Sequence, residues 1–363
     1  MPSCAMTPGP PGQSSGVAVR SAHFGRAQGS GPVVPRRGID EWALPTPAAS
    51  GSWEPERVSD TALEAFLRQV RRSTKSQGRA LTEALNEYRE SAPETCSFAA
   101  DKRALRGRQR STIARAELYH RGWRQAIMTA WNVADHVAAI GDVSTTEAPR
   151  MFAHMTLARA ALEGAGRVHY LLHPEGTTLE RILRAATALL ISSDEELKSV
   201  NELGDANHFV HRAAEAESTH RLGEVVDLIE RAGIVVKRDK RGNVWSLRWK
   251  DATTETRPPV VSTLLRHLLP SKPAAYRFSS GAVHSQPWVL DDHQAFDPGA
   301  QPVQWRLDPA GLASSVDLGI SASALVITSF AAVLGQDAAS QQLEARRREQ
   351  AVSQLALAAL SRQ

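Results

Sequence analysis

The segment YRFSSGAVHS, residues 276–285, sets an arginine and a histidine where they can act together. Arg277 and His284 are seven positions apart, two helical turns, and so share about the same face of a helix. A proton-exchanging histidine beside a fixed cation is what metal-independent phosphodiester cleavage requires. The imidazole serves the 2′-hydroxyl as general acid or base, and the guanidinium holds the phosphate. The same two residue types also form polar pairs that keep helices in register inside a bundle. Spacing does not decide between these roles, because Arg115/His120 and Arg167/His173 are similarly spaced in a chain of 36 arginines and 12 histidines.

Other groups offer chemistry too. Arg159, Glu163 and Arg167 follow one another at i, i+4, with Tyr170 on the same face. They read either as an exposed ion ladder or as an Arg–Glu pair lining a pocket, which the apolar flanks Met155, Leu162 and Leu171 allow. His169 and His173 have the i, i+4 spacing of two metal ligands on a helix, and His208 and His211 follow at i, i+3. Tyr170 stands where a zincin motif needs Glu, and nothing joins the two pairs, so no metal or cofactor is expected. Lys237, Arg238, Lys240, Arg241, Arg248 and Lys250 interleave with Trp245 and Trp249. That pattern suits phosphate pairing and base stacking on nucleic acid. The alternative is a solvated hairpin whose tryptophans pack on the body. No stretch reads GxxxxGK[ST], GxGxxG or GxSxG, which argues against nucleotide-driven and acyl-transfer chemistry.

The elements that carry these residues are mostly helical. Thr61 and Glu64 have capping-box spacing, and Leu63, Phe66, Leu67 and Val70 follow at helical intervals. This run continues through Leu81, Leu85 and Tyr88, then yields near Pro93 and Cys96 to an Arg-rich helix from about Lys102. Residues 119–140 place Trp123, Ile127, Ala130, Ala134 and Val137 on one stripe, widened by Trp131. Residues 151–172 place Leu157, Ala161, Ala165, Val168 and Leu172 on another, broadened by Met155 and Leu162. The short, turn-rich connection makes these two an antiparallel pair. Helical spacing recurs at 179–197, 221–232, 260–269, 312–335 and 338–360, while 233–250 changes to a period of two around Asp239–Gly242, a β-hairpin.

Residues 1–56 are rich in Pro, Gly and Ser and hold only Trp42 and Trp53 as candidate docking aromatics, so they read as a disordered leader. The expected fold is therefore mainly α: a helical-bundle body over 57–363 with one inserted basic β-hairpin at 233–250. A hydrophobic share of 42% supports a real core, and a net charge of +4 permits a polyanionic partner without requiring one. Cys4 and Cys96 cannot build a disulfide framework or a four-thiolate site, and no secretory signal is visible, so a cytoplasmic location is expected. The most apolar window, GISASALVITSFAAVLG, is 17 residues long and diluted by Ser and Thr, which reads as a buried helix; no membrane partner is expected.

Three segments together resemble a known group. ADHVAAI (134–140), LARAALEGAGRVHYLLHP (157–174) and YRFSSGAVHS resemble uncharacterised helical bacterial proteins with an Asp-His helix, an Arg-x3-Glu helix and a Tyr-x2-Ser-x4-His segment. That group is similar to HEPN-like bundles, many of which are RNA-cleaving toxins or phage-defence factors. The resemblance implies that Asp135, His136, Arg159, Glu163, Tyr276, Ser279 and His284 converge on one polar centre. It also implies a metal-independent ribonuclease with RNA as partner, His284 as general acid/base, Arg277 on the phosphate, Arg159 and Glu163 orienting them, and a site completed in a homodimer. Phe278 departs from the HEPN nuclease pattern, which has a polar residue directly after the motif arginine. The alternative function is a non-catalytic interaction protein that contacts nucleic acid or a protein through the hairpin residues Lys237, Arg238, Lys240, Arg241, Trp245 and Arg248.

Overall fold

Apolar residues recurring every three or four positions become ten helices among the described residues of the computed structural model, which are 60–144, 152–202, 209–284, 286, 294–295, 304–305 and 307–360. The leader expected over 1–56 and His208 lie outside them. The first six helices are α1 (Asp60–Ser91), α2 (Ser97–Ala104), α3 (Arg110–Val143), α4 (Ala153–Leu172), α5 (Thr178–Asn201) and α6 (Phe209–Arg231). A small sheet follows, β1 (Ile234–Arg238), β2 (Val244–Trp249) and β3 (Glu255–Thr256). Next come α7 (Val261–Leu268), α8 (Ala275–Val283) and the two-residue strands β4 (Gln294–Ala295) and β5 (Gln304–Trp305). The long helices α9 (Pro309–Leu334) and α10 (Ala339–Leu360) close the described chain.

α9 shows how the sequence builds its centre. Asp308 caps it, with Oδ1 accepting from Ala310 N at 2.8 Å and Oδ2 from Gly311 N at 2.7 Å. Pro309 occupies the first turn, where its missing N–H costs nothing, and Gly335 ends the helix at φ 66°. By length and composition α9 could cross a membrane, but 72% of its apolar window is buried against α1, α3, α4 and α10. Four of its serines are buried as well, and each finds a partner on another helix. Ser315 meets His154 Nδ1 at 2.8 Å, Ser323 accepts from Gln77 Nε2 at 3.0 Å, and Ser329 meets His169 Nδ1 at 3.0 Å. Ser321 donates to Glu349 Oε1 at 2.9 Å.

Two apolar cores stack along α3. The larger joins α1, α4, α9, α10 and the C-terminal half of α3. The smaller joins Ala114, Leu118 and Tyr119 of α3 to α5, α6 and the sheet. α3 and α4 run antiparallel, since Gly164 meets Val133 while the 171–172 end of α4 lies near Gly122 and Trp123. The close approach needs glycine at both places: a Cβ on Gly164 would press on Val133, and one on Gly122 would strike Ala185 of α5.

Four sequence expectations need correction. α1 begins at Asp60, so Thr61 lies inside the first turn rather than capping it. The Arg-rich helix expected from Lys102 is interrupted: α2 ends at Ala104 and α3 starts at Arg110, because Lys102, Arg103, Arg106, Arg108 and Arg110 repel one another around a weak Gly107. Trp131 does not widen the buried stripe but is 41% exposed. The hairpin acquires a third strand, β3, which pairs antiparallel with β2.

One buried ion pair ties the two cores together. Arg181 Nε donates to Asp101 Oδ2 at 2.7 Å and Nη2 to Oδ1 at 2.9 Å, with both side chains almost sealed from solvent. Arg181 Nη1 also holds the carbonyls of His173 and Gly176, the turn between α4 and α5, and Thr178 Oγ1 donates to Asp101. A Thr177–Glu180 capping box starts α5 beside it. Arg181→Ala should lower stability by about 3–5 kcal/mol in denaturant unfolding, because Asp101 is left buried and uncompensated. Arg181→Met combined with Asp101→Leu should lose clearly less; equal losses would mean that the charges do not form a unit.

Candidate functional site

The i, i+4 spacing of Arg159 and Glu163 on α4 brings Arg159 Nε to 2.8 Å from Glu163 Oε1, half-buried rather than laddered on the surface. Arg167 is exposed and takes no part, and Tyr170 turns away to donate to Arg257 O at 3.1 Å. α8 lies against α4 and closes the pair. Tyr276 Oη donates to Glu163 Oε1 at 3.2 Å and accepts from Arg159 Nη2 at 3.4 Å. Arg159 Nη1 donates to His284 Nε2 at 3.2 Å. Partial burial pulls the Arg159 pKa down, but the bonds to Glu163 and Tyr276 outweigh it and leave it raised.

Since arginine can only donate, His284 accepts in this contact through Nε2. His284 and Arg277 are both exposed and open on a cleft of about 590 Å³. Arg266 and Ser262 of α7 and Ser280 of α8 also line it, and none of its nine lining residues is acidic. The cleft can therefore hold an anion beside an imidazole. Ser279 is buried below, its hydroxyl donating to Tyr276 O at 3.2 Å.

Lys272, in the connection between α7 and α8, anchors this wall of the cleft. Its ammonium reaches Asp317 Oδ1 at 2.7 Å and Ser321 Oγ at 2.6 Å on α9, and Glu349 Oε1 at 3.7 Å on α10. Burial raises the Glu349 pKa, against the opposing pull of Lys272. Lys272 and Arg266 were not legible from sequence as site residues, because each acts with partners on other helices.

Asp135 and His136 are placed apart from this group. Asp135 is exposed, and His136 Nδ1 bonds the Asn132 carbonyl of its own helix at 2.8 Å. Among the described residues no hydrogen bond or ion pair links either to Arg159, Tyr276 or His284. His169 is committed to Ser329, and His173 is the left-handed cap of α4 at φ 38°. His211 is buried on α6, and among the described residues no group of three or more His, Cys, Asp or Glu side chains is set to hold a metal.

The hairpin is only partly free. Lys237 pairs with Glu255 and Arg238 with Asp194, whereas Lys240 and Arg241 are exposed at the tip. Arg248 is half-buried. Trp249 is buried under Arg115, but Trp245 is 51% exposed, its ring 4.9 Å from the Arg257 guanidinium. Both tryptophans cannot be counted as packed on the body.

No family model, no curated protein and no solved structure matches this chain.

Two outcomes follow from these contacts. Lys272→Met should raise amide hydrogen exchange across residues 275–283 while leaving α4 protected; unchanged exchange would mean that Lys272 does not hold α8. Burial, with Arg184 nearby, depresses the His169 pKa to about 4. Its neutral form therefore contributes stability fully present above the unfolded value near 6.5 and lost as pH falls toward 4. His169→Asn should flatten the decline in Tm over that window.

Proposed function

We propose that this protein is a metal-independent ribonuclease built on an HEPN-like helical bundle, of the toxin or phage-defence type. The observation that carries the reading is the placement of an exposed His284 with Arg277 and Arg266 in one cleft, with no acidic residue in its lining among the described residues and the imidazole held by the Arg159–Glu163–Tyr276 group.

The chemistry is an attack of the ribose 2′-oxygen on the adjacent phosphorus. His284 Nε2 takes the 2′-hydroxyl proton, the new O–P bond forms, and the bond from phosphorus to the 5′-oxygen breaks to leave a cyclic phosphate. Substrate must displace Arg159 from Nε2, and the freed guanidinium then stands beside the phosphate together with Arg277 and Arg266. The leaving 5′-oxygen collects a proton from the imidazolium, or from His284 of a second copy docked across the open cleft as a homodimer. The cytoplasm, where RNA is available, is the compartment that suits this activity.

The test is incubation of mixed single-stranded RNA and a DNA of the same sequence with wild type, Arg277→Ala and His284→Ala in EDTA. RNA alone should be cut, and His284→Ala should be slower by about 100-fold or more with an unchanged Tm, the usual contribution of a general base. Arg277→Ala should be slower by about 10-fold or more, as loss of one phosphate donor implies. Full cleavage by His284→Ala rejects the catalytic role of His284, and no cleavage by wild type rejects the reading in favour of a binding protein.

A further inference from the structure

Residues 102–124 carry seven arginines and one lysine against a single glutamate, whereas the rest of the chain carries 35 basic residues against 38 acidic ones. The protein is basic because of this one stretch. It forms the end of α2, the irregular connection and the first turns of α3, next to the smaller core. Arg106, Arg108, Arg110 and Arg124 are exposed, and among the described residues their guanidinium groups make no hydrogen bond or ion pair. Arg124 lines a cleft of about 720 Å³ together with Leu105, Gly107, Ile113, His120 and Arg121, whose guanidinium is held by Glu117, also in the lining, at 2.6 Å; Arg106, Arg108 and Arg110 flank the Leu105 and Gly107 side in sequence.

A structural role does not account for this arrangement. α3 is 34 residues long, its first turn holds no acid, and its cap residue Gln109 offers no side-chain bond. The positive end of the helix dipole therefore faces arginines that it repels, where acids would stabilise it. A local rule broken without internal compensation marks a place shaped for a ligand. An anion lying across the connection would neutralise the arginines and the helix terminus at once.

We propose that this surface binds the phosphate backbone of single-stranded nucleic acid. Arginine rather than lysine dominates, and its planar fork matches phosphate oxygens in pairs. A membrane surface would ask for apolar side chains projecting beyond the cations, but the large exposed apolar residues here, Ile113 and Leu179, are two isolated side chains that each line a cleft. Arg115 fastens the base of the hairpin to the same end of α3, donating to Ala232 O at 2.9 Å, so the tip cations Lys240 and Arg241 belong to the same lobe. The surface is distinct from the His284 cleft, and binding does not depend on cleavage there.

The experiment is fluorescence anisotropy with a labelled 20-nucleotide RNA and the matching DNA, using the full chain as His284→Ala so that no substrate is consumed. The test protein adds Arg106→Gln, Arg108→Gln and Arg110→Gln; a charge-matched control adds Arg72→Gln, Arg79→Gln and Arg346→Gln, all exposed elsewhere. The test triple should weaken binding at least 10-fold and reduce the slope of log K against log salt by about 2, as loss of three phosphate contacts on a single strand implies. The control should stay within about twofold. RNA bound better than DNA would identify the source as RNA; equal binding would still support a backbone-reading surface. Equal loss in both triples, no binding at all, or binding only to phosphatidylserine vesicles would overturn the proposal. Unchanged binding in the test triple would reject this surface while leaving the His284 reading, which is tested separately by cleavage with wild type, standing.

Discussion

A hydroxyl buried in an apolar core must find a partner, and α9 carries several. Ser315, Ser321, Ser323 and Ser329 sit on a largely apolar helix, and each draws in a polar side chain from a neighbouring helix, two from α4 and one each from α1 and α10. Hydrophobic burial alone would let the surrounding helices slide or rotate against α9, since one apolar face fits another in many registers. The hydrogen bonds remove that freedom: α4 is fixed by His154 and His169, α1 by Gln77, α10 by Glu349 and the α7–α8 connection by Lys272. Arg348, which donates to Gln77 Oε1, extends the same chain of contacts to a third helix. The histidine cleft inherits its shape from this arrangement, because α7, α8 and their connection, which line it, pack on α4 and are tied to α9 through Lys272.

The elements were legible where periodicity was strong and local. The sequence alone marked the hairpin and part or all of every long helix, though α6 only in its second half, and the Ser and Thr residues in the most apolar window pointed to a core helix rather than a membrane span. What escaped had physical reasons. The break at 105–109 has no proline; it arises from like-charge crowding, which periodicity does not register. Trp131 is apolar by type, yet lies at the edge of the stripe and stays 41% exposed beside Phe330 and Leu334 of α9. The Arg181–Asp101 pair joins positions 80 apart and leaves no trace in spacing, although the Thr177–Glu180 capping box beside it was readable and was overlooked.

The polar centre divides in the same way. Arg159 and Glu163 are one helical turn apart, so their pairing was visible, while the choice between ladder and pocket rested on α8, more than a hundred residues away in sequence. Tyr276 and His284 do reach Arg159; Asp135 and His136, expected with them, do not, because α3 turns them toward solvent and its own backbone. The opening pair was half right in geometry. Arg277 and His284 share a cleft, but the arginine that touches the histidine is Arg159, on another helix.

α3 sets a length scale. It is a single unbroken helix whose first residue stands in the basic connection and whose later turns lie beside Arg159 on α4, judging from the contact of Gly164 with Val133. At 1.5 Å per residue those two levels are about 40 Å apart along its axis. A stacked strand that advances about 3.4 Å per nucleotide would need roughly a dozen nucleotides to touch both. If both proposed sites take nucleic acid, α3 acts as a ruler between a grip at one end and a proton-exchanging group at the other. Oligomers shorter than that span can occupy only one of them at a time.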